Sequence, residues 1–344
     1  MRVLVDATPL LGPRTGVGQF TAHLLDALGH RPGLSVGTYS ISWRGGTVRM
    51  PARLLNELWR RADVPVLRIR ADVVHGTNFV VPPTRRAARV VTVHDLTAIR
   101  FPDLVTPATR AYPDLIRRAV RSGAWVHTPS AFVAAEVVEA FGADPARVRP
   151  IHHGVAVGGV DTAEPAYDFT YVLALGTVEP RKDLPTLARA MASLPAEVRL
   201  VVAGPDGWGA QDFAAAARPL GDRLVRLAWV DEAERARLLR GAAVFAYPSL
   251  YEGFGLPPLE AMAAGVPVVA AAAGAIPEAV GDGALLVPPG DADGLAEALA
   301  RVLDDDSLRA GLVERGRKRA AELRWDDAAA AMEALYRDAA ACAS

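Results

Sequence analysis

The chain has 344 residues, 51% of them apolar and 22% charged, with a formal net charge of −1. That length exceeds one ordinary hydrophobic core and fits two domains, and the composition excludes a disordered or fibrous protein. No run approaches the roughly 18–20 apolar residues of a membrane-spanning helix. Met1 to Asp6 meets an acid before a signal-peptide core can form. The lone cysteine, Cys342, excludes an internal disulfide and a cysteine metal cluster. A cytoplasmic protein is expected. The charge is unevenly spread: residues 1–155 hold 20 arginines, no lysine and 11 acids, a balance of +9, which leaves −10 for the remainder. A basic half suits an anionic acceptor or peripheral contact with the anionic inner face of the cell membrane. Plain solvated faces are the alternative, and nucleic acid is not an expected partner.

In chain order, Arg2–Asp6, Ser35–Ile41, Val73–His75, Val90–Val93, Trp125–His127 and Val148–Ile151 read as short apolar strands. A second set follows in Tyr171–Leu175, Val198–Ala203, Leu224–Leu227, Val244–Ala246, Pro267–Ala270 and Ala284–Val287. Helical stretches separate them. Strands apolar on both faces and joined by helices indicate parallel sheets in doubly wound α/β domains, and two sets indicate two such domains. The expected division is residues 1–155, a linker over 156–170, a second domain over 171–324, and a last helix over 325–344 crossing back to the first. A cleft between the domains would host ligands.

The first strand leads to Gly16-Val17-Gly18 before a helix expected from Phe20. Thr21 stands where a dinucleotide fingerprint has its third glycine, and no acid closes the second strand to hold a ribose, so an NAD site is not expected. Glycine there still allows close backbone approach to a ligand. The fourth strand ends in His94-Asp95-Leu96, with Asp95 a candidate to orient the histidine, and Asn78 and Ser130 follow other strands with weaker claims on an acceptor. Arg117, Arg118 and Arg121 offer charge to a phosphorylated or lipid-linked acceptor. In the second domain, Gly176 opens a turn that ends in Arg181-Lys182. Lys182 is one of two lysines in a chain with 36 arginines, and a compact ammonium suits phosphate. A solvated pair capping the next helix is the alternative.

The densest stretch is Tyr251-Glu252-Gly253-Phe254-Gly255-Leu256-Pro257-Pro258-Leu259-Glu260. Pro257 and Pro258 suit the start of a helix, where a missing N–H costs nothing. The amides of Gly255 and Leu256 would then face an anion at the positive end of the helix, with Glu252 in the loop and Glu260 in the first turn. A bland strand–turn–helix connection is the alternative. No histidine or cysteine spacing suggests a metal, and Asp304-Asp305-Asp306 reads as a solvated turn.

Taken together, these motifs resemble the retaining glycosyltransferases of family four, which have the GT-B fold; the resemblance covers the whole chain. It implies that the second domain binds a nucleoside-diphosphate sugar and the first an acceptor, whether a sugar, a lipid-linked molecule or a natural product. By the same resemblance Glu260 holds ribose hydroxyls, Glu252 the transferred sugar, and Arg181 and Lys182 the diphosphate. Gly16, Val17, Gly18 and Gly176 would approach the donor, with Gly253, Phe254, Gly255 and Leu256 around it. His94 would contact the sugar near the reacting carbon. Two cations and a helix terminus can replace a metal, so neither metal nor cofactor is expected. The turn Leu175 to Lys182 leans towards mannose, and hence GDP-mannose, with a UDP- or ADP-hexose close behind. On these roles, Glu252→Ala would lose transfer and keep nucleotide. The other readings are a nucleotide-sugar 2-epimerase, a glycoside hydrolase using Glu252 and Glu260 as paired carboxylates, and an inactive sugar-nucleotide sensor.

Overall fold

The computed structural model describes residues 1–12, 16–43, 45–156 and 164–343. Residues 13–15, and residues 157–163 of the expected linker, therefore lie outside the described residues. The chain forms two compact units, one of Met1–Gly154 with Arg324–Ser344, the other of Val155–Leu323.

The first unit is a six-stranded sheet of β1 (Arg2–Asp6), β2 (Ser35–Tyr39), β3 (Val73–Gly76), β4 (Ala88–Thr92), β5 (Trp125–Thr128) and β6 (Val148–Pro150), in the order β2-β1-β3-β4-β5-β6. The second has β7 (Tyr171–Leu175), β8 (Arg199–Ala203), β9 (Leu224–Leu227), β10 (Val244–Tyr247), β11 (Val268–Ala271) and β12 (Ala284–Val287), in the order β12-β11-β10-β7-β8-β9. Every pairing between these strands is parallel.

The reason is visible in the side chains. Successive residues of a strand point to opposite faces. Val172 and Ala174 of β7 enter one core with Val202 of β8 and Ala246 of β10. Tyr171 and Leu173 enter the opposite core with Val201 and Phe245. A strand apolar at every position needs cover on both faces, which only flanking helices and parallel crossovers supply. The first unit repeats the scheme, with Val74 and Val91 on one face and Val73 and Val90 on the other.

The helix Trp325–Ala341 covers that second face. Ala328, Ala329, Met332, Leu335, Tyr336 and Ala339 recur at helical spacing and pack with Val3, Val5, Phe20 and Leu24. Among the described residues, no helix is long and apolar enough to cross a membrane.

Candidate functional site

In a doubly wound sheet, ligands gather beyond the carboxyl ends of the strands where the strand order reverses. In the second unit that point lies between β7, the first strand, and β10, the fourth. The turn after β7 carries Gly176 to Lys182, and the turn after β10 carries Pro248 to Gly255.

The two turns are fastened together. Leu250 N–H donates to the Arg181 carbonyl at 2.8 Å. Arg181 Nη1 donates to the Tyr251 carbonyl at 2.8 Å and meets Glu252 Oε2 at 2.7 Å, while Nη2 meets Glu179 Oε1 at 2.6 Å. Lys182 Nζ donates to Glu252 Oε1 and to the Tyr247 hydroxyl, each at 2.7 Å, and Tyr247 donates to Glu252 Oε1 at 2.9 Å. The ammonium also stands over the Tyr247 ring, 4.7 Å from its centre. These side chains are 10–16% exposed, so the pair is not the solvated cap that spacing alone allows.

The charges tune one another. Burial pushes the Glu252 carboxyl up, but Arg181 and Lys182 together hold it down at about 2. Burial pulls the Lys182 ammonium below its ordinary range, with Glu252 opposing. Burial and then Glu252 push the Tyr247 hydroxyl well above its ordinary value. An ammonium has three protons to donate. Two are used, and among the described residues the third has no partner.

Backbone shape fixes this corner. Gly176 and Gly204 sit at φ +137° and +144°, and a Cβ on Gly204 would lie 2.1 Å from the Gly176 carbonyl oxygen. Asp183, directly after Lys182, holds φ 45° without being glycine, the kind of local strain that gathers at binding sites. Behind Glu252, Ala275 N–H donates to its carbonyl at 2.9 Å, and a Cβ on Gly274 would strike that carbonyl at 2.3 Å.

The helix after this turn runs Leu256–Ala263 from Gly255 at φ 110°. Its first four N–H groups lack intrahelical partners. Pro257 and Pro258 have none to offer, and Leu259 N–H reaches the Gly255 carbonyl at 3.5 Å. The Leu256 amide is left at the positive end. Glu260 is the fifth residue of this helix, one place beyond the first turn expected for it. Its carboxylate is ion-paired with Arg235 of the helix Glu232–Gly241.

In the first unit the sequence-level picture needs several corrections. The helix begins at Gly16, so Gly16, Val17 and Gly18 form its first turn and are not loop residues. Thr21, whose hydroxyl donates to the Val17 carbonyl at 2.8 Å, ties that turn to the next. His94 is half-buried, and its Nε2 lies 2.8 Å from the Thr77 carbonyl. A carbonyl only accepts, so Nε2 carries the proton and Nδ1 keeps its lone pair. Asp95 does not orient the ring, because its Oδ1 accepts Thr97 N–H at 2.9 Å. Burial keeps His94 below its ordinary pKa. Ser130 is wholly buried and caps the helix Ala131–Phe141 by accepting Val133 N–H at 3.2 Å. Arg117 is paired with Asp114, and Arg118 with Asp63 and the Val81 carbonyl. Neither is a loose cation awaiting phosphate.

Sequence reasoning also left residues out. Tyr247 and Glu179 complete the charge cluster, and Arg235 stands on Glu260. Tyr247 and Glu179 flank named motifs and could have been nominated from that. Arg235 lies 25 residues before Glu260, on another helix, and only the fold brings it there. Among the described residues, no group of three or more His, Cys, Asp and Glu is placed to hold a metal ion.

Residues 164–319 match the family model described as glycosyl transferases group 1, and residues 17–158 the model described as glycosyltransferase family 4. The O-antigen chain mannosyltransferase B of Escherichia coli is 31% identical over 299 residues, 80% of this chain and 77% of that one. The MMP alpha-(1->4)-mannosyltransferase of Mycolicibacterium hassiacum is 48% identical over 116 residues, which spans 33% of this chain and only 28% of its own. A solved structure of sucrose-phosphate synthase from Thermosynechococcus elongatus superposes with a TM-score of 0.76 at 22% identity, over 99% of this chain and 100% of that one. That likeness is one of fold. Two Rossmann-like units are what the strand patterns lead one to expect, and the GT-B class is what the resemblance of the motifs implies.

Proposed function

The chain belongs to glycosyltransferase family 4, and from that premise we propose that it moves mannose from a nucleoside-diphosphate sugar to an acceptor hydroxyl, with retention and without a metal. It is a hexosyltransferase by its relatives. The choice of mannose leans on the names of the Escherichia coli and Mycolicibacterium enzymes. GDP-mannose is the first donor to try, with UDP- and ADP-hexoses next, and the acceptor is a sugar or glycoconjugate.

The observation that carries this reading is the Arg181–Lys182 pair buried against Glu252 and Tyr247 at the β7–β10 reversal. As the glycosidic bond breaks, positive charge spreads over the sugar and negative charge grows on the departing diphosphate. Arg181, the remaining proton of Lys182 and the Leu256 amide are donors already fixed in place, so little reorganisation is needed to stabilise that charge. They supply the positive field a metal would otherwise bring. Glu252 holds both cations in register and has limited capacity left for a sugar hydroxyl. Glu260, held by Arg235, is assigned the ribose hydroxyls. The departing phosphate takes the acceptor's proton, with attack from the face it leaves.

The hydrolase alternative loses support on the same geometry. That chemistry needs one carboxyl protonated near neutral pH, whereas both Glu252 oxygens are ion-paired and Glu260 faces a guanidinium.

The test is a thermal-shift panel of GDP, UDP and ADP, followed by transfer and donor-hydrolysis assays on the best binder's sugars with and without a chelator. One nucleotide should raise Tm, and turnover should survive chelation. A protein indifferent to all three nucleotides would end the proposal, and activity lost on chelation would end its metal-free part. Release of epimerised sugar without an acceptor would favour the 2-epimerase.

A further inference from the structure

The sheet of the first unit has its own reversal of strand order, between β1 and β3. Beyond the carboxyl ends of these strands lies a cavity of about 260 Å³. Ordinary ligand clefts run from about 300 to 1,000 Å³, so this one suits a single small ring.

Its polar groups are unusual. Asp6, the last residue of β1, is 7% exposed. Its Oδ1 accepts Thr8 N–H at 2.8 Å and the Thr8 hydroxyl, and among the described residues no donor reaches Oδ2. Tyr39, the last residue of β2, is 4% exposed, and its hydroxyl has no partner among the described residues. Buried polar groups are nearly always satisfied, so an orphan hydroxyl lining a cavity beside a half-satisfied carboxylate marks a place for a ligand's polar atoms. Across the cavity, Asn78 is hydrogen-bonded to the Tyr112 hydroxyl. Trp59 supplies an apolar wall, its own N–H spent on the Pro65 carbonyl at 3.1 Å. Among the described residues, no arginine or lysine lines the cavity.

We propose that this cavity is the acceptor subsite and takes one uncharged, polyhydroxylated six-membered ring, whose neighbouring hydroxyls bond Asp6 Oδ2 and the Tyr39 hydroxyl. Two adjacent hydroxyls can donate to a carboxylate and accept from a phenol, and the ring's C–H face can lie on Trp59. A phosphate is disfavoured here, since among the described residues it would meet the Asp6 carboxylate with no cation to offset it. The inference rests on the glycosyltransferase reading and narrows its acceptor. It runs against the expectation, drawn from the +9 balance, that the first domain seeks an anion. That balance is a sum over the surface, where Arg60, Arg117 and Arg118 already have acidic partners.

The experiment titrates the full chain with methyl α-mannopyranoside, myo-inositol and mannose 6-phosphate by saturation-transfer NMR, with nucleotide binding measured on the same samples. At least one neutral probe should saturate at millimolar concentration, and mannose 6-phosphate should bind at least fivefold more weakly. Tyr39→Phe and Asp6→Asn should each weaken the neutral probe fivefold or more. Tyr39→Phe removes only an unpartnered hydroxyl, so its Tm should hold or rise, which separates lost recognition from lost folding. Absence of saturation by either neutral probe overturns the inference. So does wild-type affinity in Tyr39→Phe, or tighter binding of the phosphate. Nucleotide binding without sugar binding sinks this subsite alone, whereas failure of every nucleotide sinks the transferase reading whatever the sugars do.

Discussion

At the scale of single residues, the site is a balance of charges more than a set of ligand contacts. Glu252 offers about four lone-pair positions and uses three on Arg181, Lys182 and Tyr247. The sequence-level expectation that Glu252→Ala loses transfer but keeps nucleotide is therefore revised. Removing that carboxylate leaves the buried Lys182 without its ion-pair partner and Arg181 with Glu179 alone, at a cost of about 3–5 kcal/mol. Calorimetry should show the second unit melting earlier, with nucleotide affinity falling too. Glu252→Gln should fold better and still transfer slowly. Unimpaired nucleotide affinity in Glu252→Ala would show that the pair does not depend on it. Lys182→Ala should lower kcat by about 10²–10³, the loss usual for one fixed donor to a developing anion, and should weaken nucleoside diphosphate binding. Arg235→Ala is a different probe. It should raise the nucleotide Kd with little effect on folding, because Glu260 loses its fixed orientation. Normal nucleotide affinity in this variant would remove Glu260 from the ribose.

At the scale of elements, the last helix carries more of the first unit than its place in the chain suggests. Trp325–Ala341 lays its apolar stripe, with Met332, Leu335 and Tyr336, on β3, β4 and the Gly16–Gly29 helix. The Tyr336 hydroxyl bonds His75 Nδ1 at 2.7 Å, in a chain that continues from His75 Nε2 through Thr92 to His127. Tyr336→Phe breaks that chain inside the core and should cost about 1–3 kcal/mol, the range for leaving a buried partner unsatisfied. Deleting the helix after Arg324 should abolish cooperative melting of Met1–Gly154 while Val155–Leu323 still unfolds as a unit. Limited proteolysis with mass mapping would show which part is cut. Equal protection of both parts would mean the helix is an ornament. The helix was legible in sequence as a periodic alanine-rich stretch. Which face of which sheet it covers was not, because that depends on the apolar faces of strands such as β3, where the His75 that Tyr336 meets lies 261 residues away.

For the whole molecule, acid should reach the two units in sequence. His75, His94, His127 and His153 are all held below the ordinary histidine value by burial first, His127 at about 3. A histidine kept neutral in the fold and protonated when unfolded gives the unfolded state more protons below pH 6.5. Its stabilisation is complete above that pH and is lost as pH falls, at about 1.4 kcal/mol per pH unit per histidine. Asp6, pushed up to about 6 by burial, works in the opposite sense between pH 3.8 and 6, but it is one group against four. In the second unit Glu252 lies far below its ordinary value of 4.5, so its contribution is lost only as pH drops through that range. Calorimetry from pH 7.5 to 4.5 should show Met1–Gly154 losing stability from about pH 6.5 and Val155–Leu323 holding until about pH 4.5. Parallel loss in both would refute the assignment of the acid response to the histidines. By itself the sequence determined the twelve strands and their parallel pairing, because short-range patterns of two and 3.6 residues encode burial directly, and its motifs carried the resemblance to the family. It also named Arg181, Lys182 and Glu252, which sit in turns beside those strands. Only the tertiary structure decided that Glu252 spends itself on the two cations, that Arg235 faces Glu260, and that Asp6 meets Tyr39 in a cavity. Each of these joins separate elements, and the distance between two side chains on different elements is set by packing, which no local spacing records.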